Sequence, residues 1–102
     1  MQADVDMSGR IEETNRPTAM ALANGIKGSL FTSAVEKQTA IEVFRKLKPQ
    51  RDETLIHVLI FSSLLYLLVK EHIRKLSIVI VDPEYTGYEA VIKNRVMSLL
   101  RK

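Results

Sequence analysis

Two aspartates stand where a fold could do chemistry. Asp6 follows Ala3-Asp4-Val5 and opens Asp6-Met7-Ser8-Gly9. Asp82 closes the apolar run 76–81 and opens Asp82-Pro83-Glu84-Tyr85. A carboxylate at the C-terminal end of a strand lies among solvated loops, where α/β folds place their chemistry. The same residues also suit turns, since Asp accepts backbone hydrogen bonds and Asp before Pro starts a turn. If the two strands are parallel neighbours, both anions come to one edge. Adjacent anions repel unless a cation or a proton is shared. A hard cation such as Mg²⁺ or Mn²⁺ is held by one or two carboxylates plus substrate phosphate. Glu84 offers a further oxygen from the loop.

Other residues carry weaker signals. His57 lies one turn into an apolar helix, as a core or boundary residue or, facing the acidic edge, as a proton shuttle. Glu89 and Lys93 are spaced for an ordinary helix-surface ion pair. Gly87, at the start of the same helix, leaves N–H groups open to water or to an anion. Lys46, Lys48 and Arg51 cluster around a turn between helices, and Arg74 and Lys75 precede the run 76–81. Solvated helix ends account for such cations; so does a need for phosphate contacts.

Punctuation and period place these residues on elements. Residues 2–6 alternate, with Ala3 and Val5 on one face, and read as a half-buried strand. The polar stretch 8–17 is a long loop. The run 18–23 is a second strand, Asn24-Gly25 is a hairpin signal, and 26–32 returns as a third strand. Ser33 and Glu36 match a capping box that starts a helix with Ala40, Ile41, Phe44 and Leu47 on its apolar stripe. Pro49 stops it. Asp52 caps a second helix running to about residue 72. The β-branched run 76–81 reads as a strand buried on both faces. Thr86 and Glu89 match another capping box, and the last helix carries Tyr88, Ile92, Val96 and Leu99 on one side. The order is β-β-β-α-α-β-α.

Composition narrows the classes. With 102 residues the chain is one domain. The absence of cysteine excludes a disulfide scaffold, a thiolate zinc site and a cysteine nucleophile. Two histidines are too few for a histidine-rich metal cage, and 6% aromatics without tryptophan argue against a stacking platform. A formal net charge of +3 permits a nucleic-acid partner without requiring one. The apolar run 55–69 is shorter than the roughly 20 residues a bilayer needs, so it is expected to be a core helix and not a membrane span. The first ten residues carry acids where a secretory signal needs an apolar stretch, so a cytoplasmic location is expected.

The element order, with VDMSGRIEE on the first strand and LSIVIVDPEY on the fourth, resembles the ribonuclease H-like family. That resemblance implies an α/β fold with a mixed four-stranded sheet ordered 3-2-1-4 and three helices over residues 1–102. It implies a metal-dependent nuclease acting on nucleic acid, with Asp6, Glu53 and Asp82 as catalytic acids. Asp6 and Asp82 would bind Mg²⁺ or Mn²⁺, with Glu53 or Glu84 completing the site and Lys46, Lys48 and Arg51 near the phosphates. The sequence departs from the family pattern in three ways: an extra helix before the long one, a long interval from Glu53 to Asp82, and no fifth strand after the fourth. A non-catalytic assembly module of the same fold is the alternative. The apolar fourth strand and the apolar helix both need cover, so a homodimer burying one of them is expected.

Overall fold

The computed structural model describes residues 2–23, 27–47, 52–81 and 84–101. Strands β1 (Gln2–Ser8), β2 (Thr18–Ala23) and β3 (Gly28–Thr32) precede helices α1 (Ala34–Leu47) and α2 (Glu53–Val69). A 3-10 turn (Lys70–His72), strand β4 (Ile78–Val81) and helix α3 (Glu89–Leu100) follow. The sheet order is β3-β2-β1-β4. β2 pairs antiparallel with both β1 and β3, and β4 pairs parallel with β1. A parallel neighbour requires a long crossover, which α1 and α2 supply. The expected topology is therefore present. The Asn24-Gly25 hairpin signal lies outside the described residues.

Local chemistry sets the helix starts. The Ser33 backbone N–H donates to Glu36 Oε1 (2.9 Å) while the Glu36 N–H donates to Ser33 Oγ (3.1 Å), a reciprocal capping box. Asp52 accepts from the Leu55 N–H at 2.7 Å and caps α2. The expected box at α3 does not form. Glu89 turns both carboxylate oxygens to the Gly87 N–H, at 2.9 and 3.2 Å, rather than toward Lys93. The N-cap residue of α3 is Tyr88, with no side-chain cap.

All the apolar strand positions that are covered lie on one face of the sheet. Ala3 and Val5 of β1 and Thr18, Met20 and Leu22 of β2 are buried; Met7, Leu30, Val79 and Val81 are half-buried beside them. α2 packs on this face and is lined on its other sides by α1 and α3. Its buried residues run all round the helix, from Ile56, Val58 and Ile60 to Phe61, Leu65 and Val69. The helical stretch Glu53–His72 is 20 residues, long and apolar enough to cross a membrane by length and composition. Half of it is buried within the fold, which is the place of a central core helix.

The other face of the sheet carries Asp4, Asp6, Ala19, Ala21, Ser29, Phe31, Ile78 and Ile80. Phe31 is 65% exposed, Ile78 54% and Ile80 44%. The reading of 76–81 as a strand buried on both faces is thus corrected. β4 is an edge strand, covered on one face, because all three helices lie on the same side. The α1 stripe is also corrected. Ile41 is buried and Ala40 and Phe44 pack against the core, but Leu47 is 68% exposed, and Lys37 takes an inward position. On α3 the inward leucine is Leu100 rather than Leu99.

β1 ends in a turn that only glycine fits. Gly9 has φ of +77°, and a Cβ there would lie 2.1 Å from the Pro17 carbonyl oxygen. Its own carbonyl accepts from Thr18 Oγ1 at 2.6 Å, tying the two ends of the β1–β2 loop together. Gly87 also has positive φ, +92°, but nothing lies within 4 Å of its Cβ position. Gly87→Ala should therefore cost about 1–2 kcal/mol, the left-handed backbone penalty alone. Gly9→Ala should cost clearly more, since a backbone oxygen must also move. Urea denaturation of the two variants measures the difference; equal losses would refute the steric argument.

Candidate functional site

Parallel pairing brings the C-terminal ends of β1 and β4 to the same edge. Val5 is the Cα partner of Val81, and these residues directly precede Asp6 and Asp82 in the sequence. Asp82 lies outside the described residues, as do Lys48 and Arg51. Asp6 is exposed and, by strand alternation with the inward Val5 and Met7, lies on the face without helices. It lines a shallow depression of about 350 Å³ with Ser8, Ala19, Ala21, Ser29 and Phe31.

The remaining acids are placed elsewhere. Glu53 lies in the helical layer, in a two-pronged ion pair with Arg45 of α1: Nε to Oε1 is 2.8 Å and an η nitrogen to Oε2 is 3.0 Å. Hydrogen bonding and charge from Arg45 hold the Glu53 carboxyl below the usual carboxylate range, with a smaller contribution from His57. His57 Nε2 stands 3.9 Å from Glu53, one turn along α2. Glu84 lines a groove on the helical side of the sheet. Lys46 is exposed in the last turn of α1. Among the described residues, no three His, Asp or Glu side chains gather closely enough to hold a metal ion.

A cluster unmarked by the sequence joins the two loops at this edge. Arg10 reaches from the β1–β2 loop to the Glu84 carbonyl. Its Nε pairs with Glu12 Oε1 at 3.1 Å, and its guanidinium lies 5.3 Å from the centre of the Tyr85 ring. Tyr85 is buried, tilted against Phe61 at 5.4 Å, and its hydroxyl donates to Glu12 Oε1 at 3.4 Å. Burial, then the Glu12 charge, pushes the tyrosine hydroxyl above its ordinary value. It therefore stays protonated as a donor. Arg10, Glu12 and Tyr85 were legible only as a polar loop and a residue after Asp-Pro.

Lys37 completes this support. Its side chain is fully buried and its Nζ donates to the carbonyls of Arg10 (2.9 Å) and Glu13 (2.7 Å). Burial lowers its pKa, against the opposing pull of Glu13 and Glu12. The ammonium thus replaces backbone partners that a loop without regular pairing lacks. The loop also folds Ile11 completely into the core. The arrangement fixes the backbone that follows Asp6 without occupying its carboxylate.

Comparison with protein-family models, with curated proteins and with solved structures returned no match.

Two outcomes follow from these contacts. Lys37→Met keeps the apolar stem but leaves two loop carbonyls without their donor, and should cost about 2–4 kcal/mol. Hydrogen exchange should quicken across residues 9–17; unchanged exchange there would show that the ammonium does not hold the loop. Separately, the lowered Glu53 pKa means that the Arg45 pair stabilises the fold above the unfolded value near 4.5 and that this contribution fades as pH falls through the lower folded value. The melting-temperature gap between wild type and Arg45→Leu should be full at pH 7 and shrink below pH 4.5. A gap independent of pH would assign the effect to packing.

Proposed function

We propose that this domain is a ribonuclease H-like, divalent-metal-dependent phosphodiesterase acting on nucleic acid in the cytoplasm, with Asp6 and Asp82 as its metal-binding pair. The observation that carries the reading is the parallel pairing of β1 with β4 in register Val5 to Val81. It sets Asp6 and Asp82 next in sequence to paired residues on adjacent strands. The face on which Asp6 lies is clear of helices, giving a polymer room to approach. The donor set is all oxygen, which suits Mg²⁺ or Mn²⁺, and two carboxylates plus substrate phosphate are enough for such an ion. The ion would supply charge neutralisation and an oriented water.

Within this reading Glu53 and Glu84 have lesser parts. Glu53 is neutralised by Arg45 and holds α1 to α2. Glu84 fixes the loop after β4 through its carbonyl. Asp6 would hold the ion from its exposed side chain, and the Lys37–Arg10 scaffold would keep its strand end rigid. The alternative, an assembly module without catalysis, is favoured by the dispersal of Glu53 and Glu84 away from Asp6.

Thermal melts with and without millimolar Mn²⁺ separate the two. The nuclease reading expects Mn²⁺ to raise the melting temperature of the wild type and to leave Asp6→Asn and Asp82→Asn unmoved. Without metal, this reading expects both variants to melt slightly higher than wild type, because each removes one charge of the proposed pair. Mn²⁺-dependent cleavage of single-stranded and hybrid oligonucleotides should be lost in both. A wild-type melt indifferent to Mn²⁺, with no cleavage, overturns the reading in favour of the assembly module.

A further inference from the structure

β4 leaves one side of its backbone unpaired, since it ends the sheet. Unpaired apolar edges invite another strand unless they are blunted by charge, proline or a bulge. Within Ile78–Val81 none of these is present. On the uncovered face the strand shows Ile78 and Ile80, both close to half exposed. On the helical face, Val79 and Val81 line a groove of about 560 Å³ with Phe61, Leu65, Val96 and Met97. The groove exists because α3 packs chiefly on α2 and not on β4. Both faces of this edge are therefore apolar, one exposed and the other half-buried along the groove.

Charge selects the occupant. Arg74 and Lys75 stand before the strand, and Glu84 stands after it; Asp82, outside the described residues, adds a second acid after the strand in sequence. Arg74 and Lys75 are exposed, and neither makes an ion pair among the described residues. A strand that is basic at one end and acidic at the other complements a second copy of itself when the two run antiparallel. Parallel pairing would set like charges together, which is destabilising.

We propose that two copies of this chain associate through β4, antiparallel about a two-fold axis, to form one continuous eight-stranded sheet. With either Val79 or Ile80 on the axis, isoleucine meets isoleucine on the uncovered face and valine meets valine on the helical face. Each residue then keeps its face, as antiparallel pairing requires. Valines of the second copy extend the apolar lining of the groove. The end of each β4 that follows Arg74 and Lys75 then faces the end of the other that leads to Glu84, twice by symmetry. The interface is isologous and closes at two copies. It also brings the partner's two cations to the end of β4 that precedes Asp82. The association itself stands on the edge alone and needs no metal.

Charge exchange tests it, in metal-free buffer, by sedimentation of the full chain. Wild type should sediment at the mass of two chains at micromolar concentration. The double variant Arg74→Glu with Lys75→Glu should set like charges at both rims, as should Glu84→Lys alone. Each should weaken self-association by about tenfold or more. Mixed one to one, the two variants restore opposite charges at both rims, so a heterodimer should return at wild-type strength. Ile80→Lys, exposed in the single chain, should give a folded monomer by circular dichroism. A monomeric wild type at high micromolar concentration overturns the proposal. So does a dimer indifferent to Ile80→Lys, or a mixture that fails to recombine. None of these results depends on whether Mn²⁺ binds.

Discussion

The fold is organised by the need to cover one helix that has no polar side. α2 is apolar around its whole circumference, so no orientation puts a polar stripe toward water. Burying a single leucine, isoleucine or phenylalanine contributes about 1.5–3 kcal/mol, and α2 carries half of the buried apolar side chains among the described residues. The inner face of the sheet covers one side of it and α1 and α3 much of the rest, leaving Leu67 41% exposed. This demand explains why α3 leans on α2 and leaves a groove against β4. It also explains why every helix lies on the same face of the sheet. Ser62 and Ser63 fit this setting because each hydroxyl donates to the carbonyl one turn back, at 2.7 and 2.9 Å. Neither is left with an unpaired donor.

One-sided cover makes the loop at the end of β1 a structural problem. It cannot borrow partners from a second helical layer, yet it must bring Ile11 into the core. Lys37 solves this with a buried ammonium shared between two carbonyls, and Gln38 adds a bond from Nε2 to the Thr14 carbonyl at 2.7 Å. Arg10 then carries the same loop across to the segment after β4. The two loops at the candidate edge are therefore positioned from α1 as well as from the sheet. In the same way, Glu13 accepts from the Arg10 N–H at 2.8 Å and pairs with Arg16, and both contacts hold its carboxyl below the usual range.

Much of this architecture was legible in the residues. Alternation in β1 located its inward Ala3 and Val5, two caps located the starts of α1 and α2, and a long helical crossover implied the parallel β1–β4 pair. The failures have physical causes. The run LSIVIV gives no period, so it cannot reveal whether one or both faces are covered. Lys37 is a charged residue at a core position, and hydrophobic pattern reading assigns such a residue to solvent; only the loop carbonyls above it make burial tolerable. Thr86 matched a cap by spacing, but the positive φ at Gly87 turns the chain there, Tyr88 becomes the N-cap residue, and Glu89 accepts from the Gly87 N–H instead. For the candidate site, alternation put Asp6 on the first strand, but that strand continues through Met7 to Ser8 and pairs Asp6 with Ala21, so Asp6 does not end it. The pairing of Glu53 with Arg45 was invisible. It depends on the angle at which α1 meets α2, which no local signal encodes.

The uncovered face shows how a one-sided sheet stays distinct from a sandwich. β2 contributes only alanines there, which lie low and offer little apolar relief. Phe31 rises at one margin and Ile78 and Ile80 at the other. Between them, β1 carries Asp4 and Asp6 on the central line. The exposed Asp6 carboxylate on this face opposes its burial against another sheet, because it would have to leave water or find a cation. The apolar side chains at the β4 margin are not guarded in this way. Association by stacking face on face is therefore disfavoured where Asp6 stands, while lateral growth at β4 is left open.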